Sequence, residues 1–187
     1  MDDFKILACD PGTRYSGVVL YDPATMSLLE HGKLHNRDCL EFIKSHLQSS
    51  KPIGDCIFVA EMLAGMGARV GYEVFESATW LGRFIETAVG CGTRYALMKR
   101  VAVKAQFDNA KNDAMVREAL IERFPATGGG STPQIGIKKQ PGPLYGVKKD
   151  VWAALAVAVA YFDVITQLKA GRRVNVLPYQ LEADVEA

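Results

Sequence analysis

The chain has 187 residues, 49% of them hydrophobic, and its 22 Lys and Arg against 21 Asp and Glu leave a formal net charge of +1. That length fits one domain, and the composition excludes a disordered chain. No uninterrupted apolar run reaches the ~18–20 residues of a membrane span. The opening Met1-Asp2-Asp3 is acidic where a secretory leader carries positive charge, so a cytoplasmic protein with no membrane partner is expected.

Residues 4–9 (FKILAC) are an apolar run closed by Asp10-Pro11-Gly12, the pattern of a buried strand entering a turn. Residues 15–21 (YSGVVLY) form a second strand turned by Asp22-Pro23, and 26–34 alternate as a third, so the chain should begin as an antiparallel meander. Leu40, Phe42, Ile43 and Leu47 recur at helical spacing over 38–47, and 56–60 (CIFVA) is a continuous apolar strand ending at Glu61. A Gly- and Met-rich loop (62–71) leads to a helix over 74–89 and a strand over 94–98. An amphipathic helix follows over 111–124, carried by Met115, Val116, Leu120 and Ile121. Residues 125–145 hold three consecutive glycines and Pro133, Pro141 and Pro143, which predicts a long surface loop. Residues 151–168 are almost wholly apolar, a helix expected to lie buried on the sheet. This order predicts an α/β fold over 1–170, a mixed five-stranded sheet (three antiparallel strands, then two parallel) flanked by helices, with a polar tail over 171–187.

Cys9, Cys39, Cys56 and Cys91 form no C-x-x-C pair and have no His at zinc-ligand spacing, so they read as reduced thiols of the core. His31, His35 and His46 belong to no motif. Charge is unevenly spread: residues 1–93 are net −4, residues 94–149 net +7, and residues 150–187 net −2. The basic stretch includes Lys99, Arg100, Lys104, Lys111, Arg117, Lys138, Lys139, Lys148 and Lys149, a distribution suited either to neutralising phosphates or to an ordinary solvated surface.

Three acids stand out by position. Asp10 and Glu61 each close an apolar strand, and Asp150 immediately precedes the last helix. An acid at the end of a hydrophobic strand needs a partner, and a divalent cation bound by carboxylates and substrate phosphate oxygens is a natural one. Acids from separate elements can converge on a two-metal centre, with ions ~3.5–4 Å apart, for phosphodiester hydrolysis. Taken singly, Asp10 is also explained as a turn former before Pro-Gly and Asp150 as a helix N-cap; no turn calls for Glu61.

The segment ILACDPGTRYSGVVLYD resembles the first motif of RuvC-like Holliday junction resolvases, and the strand-end Glu of FVAEM matches their second acidic position. The helix containing TWLGRF and the closing VKKDVWAALAVAVAYF resemble their later motifs, while AKNDAMVREALIERFP and PGPLYGVKKDVW are similar to the bacteriophage-encoded branch. The likeness runs over about residues 4–165. It implies an RNase H-like nuclease acting as a homodimer on branched DNA, the four-way junction, with paired nicks. It also implies two Mg²⁺ or Mn²⁺ ions per site and no nucleotide cofactor, in the cytoplasm of a bacterial host if phage-encoded. Asp10, Glu61 and Asp150 match its acidic positions.

One departure stands out. Relatives carry Asp-x-x-Asp or His-x-x-Asp at the last helix, whereas here the second acid is replaced by Ala153 or the first by Val147, depending on register. Asp113, which also suits a helix dipole, is the candidate fourth metal ligand. Lys104, Lys111, Lys148 and Lys149 are candidate DNA-backbone contacts. Met62 and Leu63, with Met66, lie where relatives press an apolar side chain against unstacked bases; packing of an inward-folded loop explains them equally.

Three other readings remain open. DPGT-x-x-S-G also resembles the phosphate loop of the sugar-kinase and actin superfamily, which needs two such domains and so more chain than this. A different RNase H-fold nuclease, cutting RNA:DNA hybrid or processing rRNA, has the same acids. A catalytically weak junction-binding protein is the third.

Overall fold

Alternation along the first strand divides the apolar residues between two faces of a sheet. The computed structural model describes residues 4–49, 56–63 and 71–174. Strand β1 (Lys5–Asp10) directs Ile6 and Ala8 into one core and Leu7 and Cys9 into another, all four fully buried. Strand β4 (Cys56–Met62) repeats the pattern, Ile57 and Val59 on the first side and Phe58 and Ala60 on the second. A strand buried on both faces reads as a continuous apolar run, which is why β1 and β4 are conspicuous in the sequence.

The sheet order is β3-β2-β1-β4-β5. Strands β1, β2 (Tyr15–Asp22) and β3 (Ser27–His35) form the antiparallel meander; β4 and β5 (Tyr95–Lys99) run parallel to β1. This is the predicted α/β mixed sheet. Helices α1 (Asn36–Ser49) and α2 (Tyr72–Gly90) cover one face through Ile43, Leu47, Leu81 and Phe84. Helices α3 (Arg100–Ala105), α4 (Asp113–Arg123) and α5 (Val151–Lys169) cover the other.

Helix α5 buries ten of its nineteen residues and packs across β2, β1 and β4. It is long and apolar enough, by length and composition, to cross a membrane. Its apolar surface is instead buried between the sheet and helices α3 and α4.

Among the differences from the sequence expectation, four bear on the site and its surroundings. Strand β4 continues through Glu61 to Met62, because its ladder with β5 pairs Glu61 with Met98 and Met62 with Lys99; the acid lies within the strand rather than after it. Helix α3 has no counterpart in the prediction, since six residues are too few to display a helical period. Helix α4 begins at Asp113, not at Lys111, because the Asn112 side chain accepts from the Met115 N–H at 3.0 Å and caps it. The expected surface loop over 125–145 is tightly folded. It contains a short hairpin, β6 (Gly136–Ile137) and β7 (Gln140–Pro141), and anchors through the fully buried Leu144. Its glycines permit backbone-to-backbone packing; a Cβ at Gly142 would lie 2.2 Å from the Pro133 carbonyl oxygen.

All four cysteines are free, Cys9 and Cys39 buried and Cys56 and Cys91 partly so. Burial pushes the Cys39 thiol up to about 12 and Cys56 to about 11. His46 bonds Glu30 at 2.9 Å, and a ring nitrogen of His31 lies 3.2 Å from the Tyr145 carbonyl.

Candidate active site

The period of two that divides the cores also aligns the first two acids. Asp10 continues the Ile6–Ala8 face of β1, and Glu61 continues the Ile57–Val59 face of β4. The parallel register pairs Ile6 with Ile57, Ala8 with Val59 and Cys9 with Ala60, so Asp10 and Glu61 are next in line, side by side beneath the α3–α4–α5 layer. Two acids thus share one face of the sheet, at the carboxyl end of adjacent parallel strands, where such sheets gather ligands.

The third acid arrives from above. Asp10 is paired across the antiparallel ladder with Gly17, and the backbone of Asp150 rests on that glycine. A Cβ at Gly17 would lie 2.3 Å from the Asp150 carbonyl oxygen and 2.6 Å from its carbon. The missing side chain lets the start of α5 close over Asp10. Asp150 makes no capping bond to α5; its carboxylate pairs with Lys33 of β3 at 2.5 Å. The N-cap explanation of Asp150 therefore fails. Lys149, just before it, adopts a positive φ of 48°, an uncommon conformation for a lysine.

Asp10, Glu61, Asp113 and Asp150 line one cleft of about 270 Å³, together with Arg100, Lys104, Arg117 and Lys149. Asp113, at the start of α4, bonds Arg100 at 2.6 Å and lies 3.5 Å from Lys104. It faces other side chains across the cleft as well as complementing the helix end. Ala153 also lines the cleft, whereas Val147 is buried in the core. Residues three apart share a helix face, so a side chain at position 153 faces the cleft beside Asp150, whereas one at position 147 does not.

The cleft is electrostatically crowded. Burial pushes Asp10 up from 3.8 to about 7, and the neighbouring charges of Glu61, Asp150 and Asp113 add to the rise while Arg100 opposes it. Burial also raises Glu61, partly offset by Arg100. Asp10 has no ion-pair partner among the described residues. Carboxylate oxygens from four separate elements, one of them without an ion-pair partner, are the donor chemistry that suits Mg²⁺ or Mn²⁺. As they stand, however, no three ligating groups among the described residues are gathered closely enough to hold an ion, and Arg100 and Lys33 pair with Glu61, Asp113 and Asp150. The donor set fits a divalent cation in kind; loading requires those ion pairs to yield.

Of the predicted DNA contacts, Lys104 and Lys149 line the cleft, while Lys111 and Lys148 are exposed outside it. Met62 packs into the second core, and Leu63 is partly buried; Met66 lies outside the described residues. Three groups of the site were not singled out in the sequence, two of them, Arg100 and Arg117, standing there only as members of the basic stretch. Arg100 is the cation shared by two of the acids. The Arg117 guanidinium stacks 4.9 Å from the Trp152 ring at the cleft wall and forms no ion pair among the described residues. Asn36 is the third.

Asn36 is fully buried beneath the turn after Asp10. Its amide donates to the carbonyls of Gly12 (2.9 Å) and Thr13 (3.1 Å) and its oxygen accepts from Ser16 (2.8 Å), whose hydroxyl in turn accepts from the Gly12 N–H. Asn36→Ala strands two carbonyls, so we expect a loss of ~2–3 kcal/mol in urea-unfolding stability. A loss below about 0.5 kcal/mol, the worth of one weak hydrogen bond, contradicts this role.

The sheet order and its helix layers define the RNase H-like fold. Among solved structures, the chain is similar to T. thermophilus RuvC in complex with Holliday junction substrate, with a TM-score of 0.56, 15% identity, and coverage of 90% of this chain and 96% of that one. A second Thermus thermophilus RuvC structure matches with a TM-score of 0.51 at 17% identity, covering 89% of this chain and 96% of that one. No protein-family profile and no curated protein sequence matches the chain.

Proposed function

We propose that the chain is a metal-dependent, structure-selective endodeoxyribonuclease that nicks four-way or otherwise branched DNA. The observation that carries this reading is the meeting of four carboxylates, from β1, β4, α4 and the start of α5, in a cleft whose rim is basic. Asp10, Glu61 and Asp150 would hold the metal, with Asp113 as the further ligand. Mg²⁺ or Mn²⁺ bound there supplies an activated water and offsets charge on the attacked phosphate and the leaving oxygen.

The chain's own residues do the rest. The Asn36 network fixes the turn that ends β1 and so orients Asp10. Lys104, Lys149 and Arg117 face the cleft and suit the phosphate backbone, binding by charge rather than by sequence. A junction of two-fold symmetry is most simply cut by a two-fold dimer, and the likeness to a junction-bound RuvC structure supports branched DNA as the partner.

The test is cleavage with Mg²⁺ of three labelled substrates: a four-way junction, its linear duplex arms and an RNA:DNA hybrid. Symmetrically paired nicks in the junction, with the duplex largely intact, are expected. Equal cutting of the hybrid favours a general hybrid nuclease, and no cutting of any substrate with intact junction binding favours the weakly catalytic binding protein. Sedimentation with junction present should show two chains per DNA; one chain per junction overturns the dimer.

A further inference from the structure

Each of the outer carboxylates in the cleft already has a cation. Arg100 Nη1 lies 3.1 and 3.0 Å from the two oxygens of Glu61, and its Nη2 lies 2.6 Å from Asp113. One guanidinium thus clamps a strand acid and a helix acid contributed by distant parts of the chain. Only Arg offers this: its planar fork carries five donors at fixed angles, whereas a lysine is a single point charge. Glu61 is almost buried, with its side chain 11% exposed, while Arg100 is 42% exposed. The cation therefore enters from the solvent side, with room to withdraw.

We infer that Arg100 is a built-in counter-ion that stands in for the divalent metal, holding Glu61 and Asp113 together in the metal-free protein and exchanging with the ion on loading. This rests on the metal-centre reading above. The same carboxylate oxygens cannot serve both partners, because a divalent ion and a guanidinium drawn onto them repel each other at close range. Ala153, which lines the cleft, sharpens the point. Without a second acid in the first turn of α5, the cleft relies on Asp113 of α4, and Arg100 is what ties α4 to β4 at the site. Metal binding and the Arg100 clamp are therefore linked, and the coupling acts equally in both directions. Removing the clamp favours metal binding, and binding metal cancels the clamp's contribution to stability.

The experiment is calorimetric titration of the full-length protein with Ca²⁺ and with Mn²⁺, alongside thermal melts with and without saturating Ca²⁺, for wild type, Arg100→Gln, Arg100→Lys and Asp10→Asn. Arg100→Gln should bind either ion more tightly, on the order of five- to tenfold, as for release of a half-exposed ion pair. Its metal-free melting temperature should fall below wild type, and the gap should narrow when Ca²⁺ saturates. Arg100→Lys, which keeps the charge and loses the fork, should lie between the two and covers the case in which the Gln variant does not fold. Affinity in the Arg100 variants equal to or weaker than wild type overturns the exchange, provided wild type binds and Asp10→Asn does not. Equally poor binding by wild type and Asp10→Asn overturns the metal centre itself.

Discussion

Asp10→Asn should reduce junction cleavage by about 10³-fold or more, while junction affinity stays within a few-fold of wild type. The expectation follows from position. The charges around the Asp10 carboxylate are mostly those of other carboxylates, Glu61, Asp150 and Asp113, and it is the acid of the cleft with no ion-pair partner among the described residues. Asn keeps the shape of the side chain and one oxygen but removes the charge on which metal binding depends. DNA affinity is carried by Lys104, Lys149 and Arg117 on the rim, which the substitution does not touch. A gel-shift and cleavage assay on one junction separates the two effects. Retention of more than about a tenth of wild-type cleavage refutes the role, since removal of even one transition-state donor commonly costs ~10²-fold.

The same variant makes a second, independent prediction about stability. Asp10 titrates near 7 in the folded, metal-free protein and near 3.8 when unfolded. A folded-state value above the unfolded one means the native state holds its proton more firmly. The contribution of Asp10 to stability is therefore greatest below pH 4 and declines as pH rises toward 7, where the carboxylate ionises in a cleft that disfavours it. Each pH unit of displacement corresponds to ~1.4 kcal/mol, so the decline attributable to Asp10 is on the order of 2–4 kcal/mol. Asp10→Asn cannot ionise and should escape it. Metal-free urea denaturation should show the variant gaining on wild type between pH 4 and 7, with a plateau above. Saturating Mg²⁺ should reverse the order, because only wild type retains the full ligand set. A pH-independent difference between the two proteins contradicts the electrostatic origin.

The acids were legible in the sequence because a strand buried on both faces tolerates no charge in its interior, so Asp10 and Glu61 stand out against ILAC and IFVA. Their juxtaposition was not, because register between distant parallel strands is set by tertiary packing. Nothing in the sequence places Ile6 opposite Ile57 rather than two residues away. Asp150 was readable as an acid at a helix start, yet its partner, Lys33, belongs to the edge strand β3, beyond any local pattern. Arg100 was seen only as one member of a basic stretch, since its significance lies in two acids 39 residues behind it and 13 ahead. Asn36 precedes the helical spacing of 38–47 and belongs to no motif, yet its amide closes a turn from an earlier part of the chain. The 125–145 segment lies at the surface as expected, but its short hairpin and the buried Leu144 were not legible, because glycine and proline mark only backbone irregularity.

Gly17→Ala should show how closely the site depends on that packing. Gly17 lies opposite Asp10 on β2 and directly beneath the backbone of Asp150. A methyl group there meets the Asp150 carbonyl oxygen at 2.3 Å, its carbon at 2.6 Å and the Val151 nitrogen at 3.0 Å. None of these is the yielding tip of a side chain, so the first turn of α5 must lift. The helix is fixed further along by Leu155, Ala158 and Val164, each fully buried, so the displacement is concentrated at its N-terminal end, where Asp150 sits. Overpacking of this kind costs ~1–3 kcal/mol of stability, and a misplacement of about 1 Å at a reacting centre can cost ~10²-fold in rate. If the loss of rate acts through Asp150, Gly17→Ala and Asp150→Asn should be strongly non-additive, the double variant cleaving little more slowly than Asp150→Asn alone. Full additivity would instead mean that Gly17 acts on the sheet and not on the acid above it.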